Sequence, residues 1–165
     1  MRGIFETNVF GTMDCIRAGV PLMKKQEERQ GWRGQIMIVS SAAGRRGLPY
    51  FGAYSATKAA QLSIAEALRV ELRRDRIAVT SVHPVGTKTD FFTTAETVSG
   101  SGLPMRGGME VQQTAGVVAG RMVQGMEKPC AEVWPLRVAR VGLSVATLFP
   151  GMVDRVLGGR KPKKE

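Results

Sequence analysis

The 165 residues carry 24 Lys and Arg against 14 Asp and Glu, a formal net charge of +10, with two cysteines and one histidine. That length is one domain with room for a real core, and no stretch offers the roughly 18 apolar residues of a membrane span. A lone histidine, His83, leaves a His-based metal site or a Ser-His-Asp triad almost nothing to draw on.

The first 23 residues hold Glu6, Asn8, Asp14 and Arg17, which argues against a secretory signal. Cys15 and Cys130 are far apart and read as free thiols of a reducing, cytoplasmic compartment, with no metal-ligand spacing. Much of the basic charge clusters, at Arg69, Arg73, Arg74 and Arg76 and again at Arg155, Arg160, Lys161, Lys163 and Lys164. No nucleic-acid motif accompanies it, so a solvated helix end and a disordered basic tail (158–165) are expected, with peripheral membrane contact left open.

In chain order, Met1 to Gln26 reads as a long helix, since Phe5, Val9, Met13, Ile16, Val20 and Met23 recur three and four apart. Pro21 should bend its last turns. Asn8 inside it would by default face solvent. Lys24 to Gly34 is a charged loop. Gln35 to Ser41 is a short, continuous apolar run, expected as a parallel strand covered on both faces. Ser40 and Ser41 stand at its carboxyl end, where ligands of open α/β sheets bind. They are polar loop starters, or one of them is a hydrogen-bond donor to a substrate oxygen.

Gly52 to Arg74 reads as a second helix with a stripe of Leu62, Ala65, Leu68 and Leu72, widened by Ala59, Ala60, Ile64 and Ala67. Such girth predicts burial on two sides, against the sheet and against another helix or subunit. Ile77 to Val82 is a β-branched strand, broken by Pro84 and Gly86 and followed by Thr87, Thr89 and Asp90. Phe91 to Gly108 lacks a period and is expected as a loop or lid. Thr114 to Met126 reads as a helix and Ala131 to Pro135 as a last strand. Leu136 to Leu157 is apolar with interspersed arginines and a break at Pro150; it covers the domain or lies on a membrane surface. Strand alternating with helix predicts right-handed crossovers and a parallel sheet.

Tyr54 and Lys58 are four apart in the second helix, on one face. A nearby ammonium favours phenolate, so the spacing predicts a tyrosine pKa lowered from about 10, suited to proton exchange with an alcohol or carbonyl oxygen. Alone, the pair can arise by chance.

The pair has company. Asn8 stands in Asn-Val-Phe-Gly; Ile38 to Gly44 reads Ile-Val-Ser-Ser-Ala-Ala-Gly; Tyr54 and Lys58 stand in Ala-Tyr-Ser-Ala-Thr-Lys-Ala-Ala; and Ile-Ala-Val-Thr-Ser-Val-His-Pro precedes Thr89. Order and spacing, with Ser41 thirteen positions before Tyr54, resemble the short-chain dehydrogenase/reductase family from Ile4 to Phe92, and loosely beyond. The resemblance implies an NAD- or NADP-dependent oxidoreductase interconverting a small-molecule alcohol and carbonyl. Tyr54 would be the acid/base. Lys58 would lower its pKa and hold the nicotinamide ribose, Ser41 would steady the carbonyl oxygen, and Asn8 would hold a relay water to Lys58. The segment from Pro84 and Gly86 to Thr87 and Thr89 would meet the nicotinamide, although Val85 stands where the family commonly has glycine.

A larger departure is the missing cradle. The family's fold begins with a strand and a Gly-x-x-x-Gly-x-Gly turn for the pyrophosphate, and no such run occurs here. The expected fold is therefore α/β, a partial Rossmann-like doubly wound parallel sheet with flanking helices and without the N-terminal strands. The catalytic region would span 1–135, with the loop at 91–108, followed by a helical extension at 136–157. The chain is expected to be truncated and weakly active or inactive alone, and to form a homo-oligomer through its two long helices. The alternative is a non-catalytic oligomerisation or interaction fragment.

Overall fold

The computed structural model describes residues 1–89 and 113–158. The expected loop at 91–108 and most of the basic tail lie outside them. The first helix is three segments in one line: α1 (Arg2–Phe5), a π-helical turn (Glu6–Phe10) and α2 (Gly11–Lys24), with Pro21 inside α2. Next come β1 (Gly34–Val39), a 3-10 turn (Ala42–Gly44), α3 (Gly52–Glu71) and β2 (Ile77–Val82). Two short strands, β3 (Thr87–Lys88) and β4 (Gln113–Thr114), pair in parallel. Then follow α4 (Ala115–Glu127), β5 (Glu132–Val133), α5 (Arg137–Leu148) and α6 (Pro150–Gly158).

The main sheet has the order β1-β2-β5 and is parallel throughout, with Ile36 opposite Val79 and Val82 opposite Val133. Strand side chains alternate between faces. Ile36, Ile38, Ile77 and Val79 meet Ile16, Val20 and Met23 of α2 and Ile64, Ala65 and Leu68 of α3 in one core cluster. The opposite face carries Gln35, whose amide donates to Thr80 Oγ1 at 3.1 Å and to the Gly125 carbonyl of α4 at 2.9 Å. Helices thus cover both faces, as the unbroken apolar run of β1 requires. Every residue of β2 is buried. Among the described residues β1 is an edge strand.

Helix ends depart from the sequence reading where local chemistry intervenes. α3 stops at Glu71, not Arg74, and Arg76 at φ 56° turns the chain into β2 while its carbonyl accepts from Arg33 N at 2.7 Å. Two of the arginines there are engaged, Arg69 with the Val79 carbonyl (3.1 Å) and the Ala131 carbonyl (2.8 Å) and Arg76 with Glu28, while Arg73 and Arg74 are exposed. Thr114 caps α4, its hydroxyl accepting from Val117 N. Pro150 divides the C-terminal stretch into two helices, and the outward residues of α5 include Val138, Val141, Val145 and Leu148. α3 meets a second helix as well as the sheet: buried Thr57 and Gln61 bond Asn8 and Thr12 of the first helix. Its inner residues Leu62 and Ala65 are buried, while Ala59, Ala67 and Val70 are exposed.

Two features anchor the carboxyl end of the sheet. The 3-10 turn after β1 presses so closely on α3 that a Cβ at Gly44 would lie 2.7 Å from the Lys58 carbonyl oxygen and 2.7 Å from Ser40 Oγ. Beyond β2, fully buried His83 stacks on Trp134, ring centroids 4.4 Å apart, and its Nε2 bonds Ser81 Oγ at 3.0 Å. Trp134 in turn donates its indole N–H to Glu132 at 2.8 Å, and Glu132 pairs with Arg45. Burial drops the His83 imidazole to about 4, with Glu132 opposing only in part.

Two outcomes follow from this packing. Gly44→Ala must displace backbone, not a flexible tip, and should lower stability by about 1–3 kcal/mol, read as the urea midpoint. His83 stays neutral when folded but takes up a proton below 6.5 when unfolded. Its contribution is therefore full above pH 6.5 and lost as pH falls toward about 4, on the order of 3 kcal/mol in all. Unfolding midpoints measured across that window should slope downward, and His83→Phe, which keeps a ring on Trp134, should remove that part of the slope.

Candidate active site

The site forms where β1 ends. Ser40 and Ser41 leave the strand together but serve different partners. Ser40 is buried and donates to the Lys58 backbone carbonyl at 2.7 Å, so it locks α3 to the strand end. Ser41 caps the 3-10 turn by accepting from Ala43 N at 3.1 Å, leans on the Pro84 carbonyl at 3.4 Å, and hydrogen-bonds the Tyr54 side chain. The sequence left open whether either serine meets the chemistry; the structure puts Ser41 against the phenol and Ser40 in the scaffold.

Tyr54 and Lys58 do share a face of α3, with the Lys58 Nζ 5.7 Å from the Tyr54 ring centroid. The electrostatic expectation from that spacing is overturned. Burial pushes the Tyr54 phenol above its ordinary value, and the Ser41 hydrogen bond pulls it only partly back. Lys58 is itself weakened as a cation, because burial lowers its pKa. Its ammonium is turned to other acceptors, the Val39 carbonyl and Gln61 Oε1, both at 2.9 Å. In this niche desolvation of the phenolate outweighs the attraction of the neighbouring cation.

Asn8 is half-buried in the π turn, not solvent-facing. Its Nδ2 donates to Thr57 Oγ1 at 3.1 Å, and that hydroxyl donates to the Tyr54 carbonyl at 2.8 Å. The Asn8 carbonyl accepts from Thr12 Oγ1 and from Gln61 Nε2, each at 2.7 Å. Ser41, Tyr54, Lys58 and Asn8 are therefore brought into one connected cluster from three elements far apart in sequence. Gln61, which completes it, was missed. It lies three residues after Lys58, a spacing that puts both on one helix face, and that was the available signal.

The remaining expected residues line the end of β2. The Pro84 carbonyl accepts from Ala42 N at 2.9 Å, tying the two strand ends together. Gly86 accepts from Gln113 N at 2.8 Å. Thr87 folds back on the Val85 carbonyl at 2.9 Å, and Thr89 is exposed just past β3. For a nicotinamide nucleotide, the ribose end fits. An ammonium has three N–H donors, and the Val39 and Gln61 oxygens take two. Among the described residues no Gly-x-x-x-Gly-x-Gly turn follows a strand, so the pyrophosphate end has no counterpart there. No cluster of metal-ligating side chains occurs among the described residues, and no described helix is long and apolar enough to cross a membrane.

Comparison with known proteins agrees with this geometry. Residues 1–98 match the family model of the short chain dehydrogenases. An uncharacterized oxidoreductase of Myxococcus xanthus is 33% identical over 86% of this chain and 53% of its own length. Dehydrogenase/reductase SDR family member 7B of Xenopus tropicalis is 36% identical over 61% of this chain and 31% of its own length. The chain thus spans about half, or less, of the relatives it matches. In fold it is similar to a short chain dehydrogenase from Burkholderia cenocepacia solved in complex with NADP, with a TM-score of 0.73 at 24% identity over 94% of this chain and 58% of that one. With more than half of its residues under the family model, this chain belongs to the short-chain dehydrogenase family.

Proposed function

We propose that this chain carries the proton-handling half of an NAD- or NADP-dependent oxidoreductase that interconverts a small-molecule alcohol and carbonyl. The observation that carries the reading is the Tyr54 phenol bonded to Ser41 beside Lys58, at the carboxyl end of a parallel strand. The neighbour from Burkholderia cenocepacia and one from Sphingobium yanoikuyae were solved with NADP and NADPH, which supports a nicotinamide cofactor here as well.

When bound, such a cofactor supplies or accepts the hydride. The protein's own residues do the rest. Tyr54, held protonated by burial, gives its proton to the substrate oxygen in reduction and takes one back in oxidation. Ser41 donates to the same oxygen and spreads its developing negative charge. Lys58 offers its remaining N–H to a ribose hydroxyl and stands 5.7 Å from the Tyr54 ring centroid. Asn8 and Thr57 steady the backbone of α3 beneath Tyr54. Thr87, Thr89 and the backbone from Pro84 to Gly86 form the wall against which the nicotinamide would sit.

A second reading is a non-catalytic module that assembles through its long helices. Outward apolar residues favour it, with Phe10 at 54%, Met13 at 42% and Val70 at 76% exposure. One experiment separates the two. Hydride transfer is followed with both cofactors and a panel of ketones, on this chain and on a version extended upstream in the gene. Tyr54→Phe should lower the rate about 10²–10⁴-fold. Undiminished rates in Tyr54→Phe would sink the proposal. A stable oligomer that takes up neither cofactor by calorimetry would favour the second reading.

A further inference from the structure

Gln61 occupies a position that nothing above assigns. It is 6% exposed, and its amide spans the gap between α3 and the π turn. Oε1 accepts from Lys58 Nζ at 2.9 Å, while Nε2 donates to the Asn8 carbonyl at 2.7 Å and to Thr12 Oγ1 at 2.9 Å. The orientation of the amide is unambiguous on chemical grounds. An ammonium only donates and a backbone carbonyl only accepts, so oxygen must face Lys58 and nitrogen must face Asn8. Thr12 closes the ring by donating to the same carbonyl at 2.7 Å.

The π turn makes this possible. A π segment displaces the usual i to i−4 bonding and leaves room for a side chain to reach a helix carbonyl. At Asn8, the side chains of Gln61 and Thr12 both donate to the backbone carbonyl. The relay water that family resemblance would place on Asn8 has a competitor there, built into the chain. An amide holds an ammonium but is a poor proton shuttle, because each N–H it gives up leaves a high-energy tautomer. The arrangement therefore suits fixing a cation more than passing its proton onward.

We propose that Gln61 is the positioning residue for Lys58, holding its ammonium against the Val39 carbonyl beside Tyr54 and taking the Asn8 carbonyl for itself. This rests on the oxidoreductase reading only for its catalytic consequence; the link between Gln61 and Lys58 stands apart from it. Among the described residues, the groups facing Lys58 are the Val39 carbonyl of β1, Gln61 and Tyr54 on its own helix, and, through Gln61, Asn8 of the π turn and Thr12 of α2. Of these only Tyr54 titrates.

The test uses the whole chain and two substitutions. Gln61→Leu keeps the bulk and removes the acceptor. Gln61→Glu keeps an acceptor, adds charge and removes the donors to Asn8 and Thr12. Lysine side-chain carbons are followed by NMR against pH, with Lys58→Met to assign Lys58. Gln61→Leu should move the Lys58 midpoint down and Gln61→Glu should move it up, each by about one unit. Where hydride transfer is measurable, its pH profile should shift with Lys58 in both variants. An unchanged Lys58 midpoint in either folded variant overturns the proposal, even if stability falls, since that is what a merely structural amide would do. Lys58 shifts without hydride transfer in any form, the upstream-extended version included, would leave the positioning role standing and remove the oxidoreductase reading instead.

Discussion

Everything in the site hangs on one attachment, that of α3 to the carboxyl end of β1. Three contacts make it: Ser40 Oγ to the Lys58 carbonyl at 2.7 Å, Lys58 Nζ to the Val39 carbonyl at 2.9 Å, and the close approach of Gly44 to the Lys58 backbone. A helix held at its fourth residue from Tyr54 cannot roll, so the phenol must stay beside Ser41. The π turn then braces the same helix from the other side through Asn8, Thr12 and Gln61. Rigid elements, not the loop between them, set the distances, which is what positioning of a proton donor demands.

Burial is the second organising effect. The same loss of water raises the Tyr54 pKa, lowers that of Lys58 and keeps His83 neutral beneath the turn. In each case the charged form is the one disfavoured. Under the proposed function, a tyrosine in such a niche acts as an acid from its protonated state, rather than as a phenolate made by its lysine. The cation is pinned by two oxygens, the Val39 carbonyl and Gln61 Oε1.

Much of the fold could be read from sequence because β1 and β2 are short, apolar and flanked by strongly periodic helices. Ile77 to Val82 came out with its bounds intact, and the π turn fell inside a helix whose apolar stripe runs through it. What escaped is what sequence encodes least. β3 and β4 are two residues each, stabilised by pairing across a long separation. The His83–Trp134 stack joins residues without any shared pattern. Tyr54, Lys58, Ser41 and Asn8 were legible as a constellation through resemblance to a family, but not the balance between desolvation and charge, which depends on how deeply the fold buries the phenol and the ammonium. Gln61 stood at helical spacing from Lys58, but its bonds to the Asn8 carbonyl and Thr12 cross between helices far apart in sequence.

The state of Tyr54 tests this account most directly. Its ionisation is read as the ultraviolet tyrosinate signal of the whole chain minus that of Tyr54→Phe. The account predicts that Tyr54 ionises above its ordinary value of about 10, and higher still in Ser41→Ala, where the hydrogen bond that favours phenolate is gone. Ionisation below that value, insensitive to Ser41, would mean that Lys58 and not burial governs the phenol, and would contradict it.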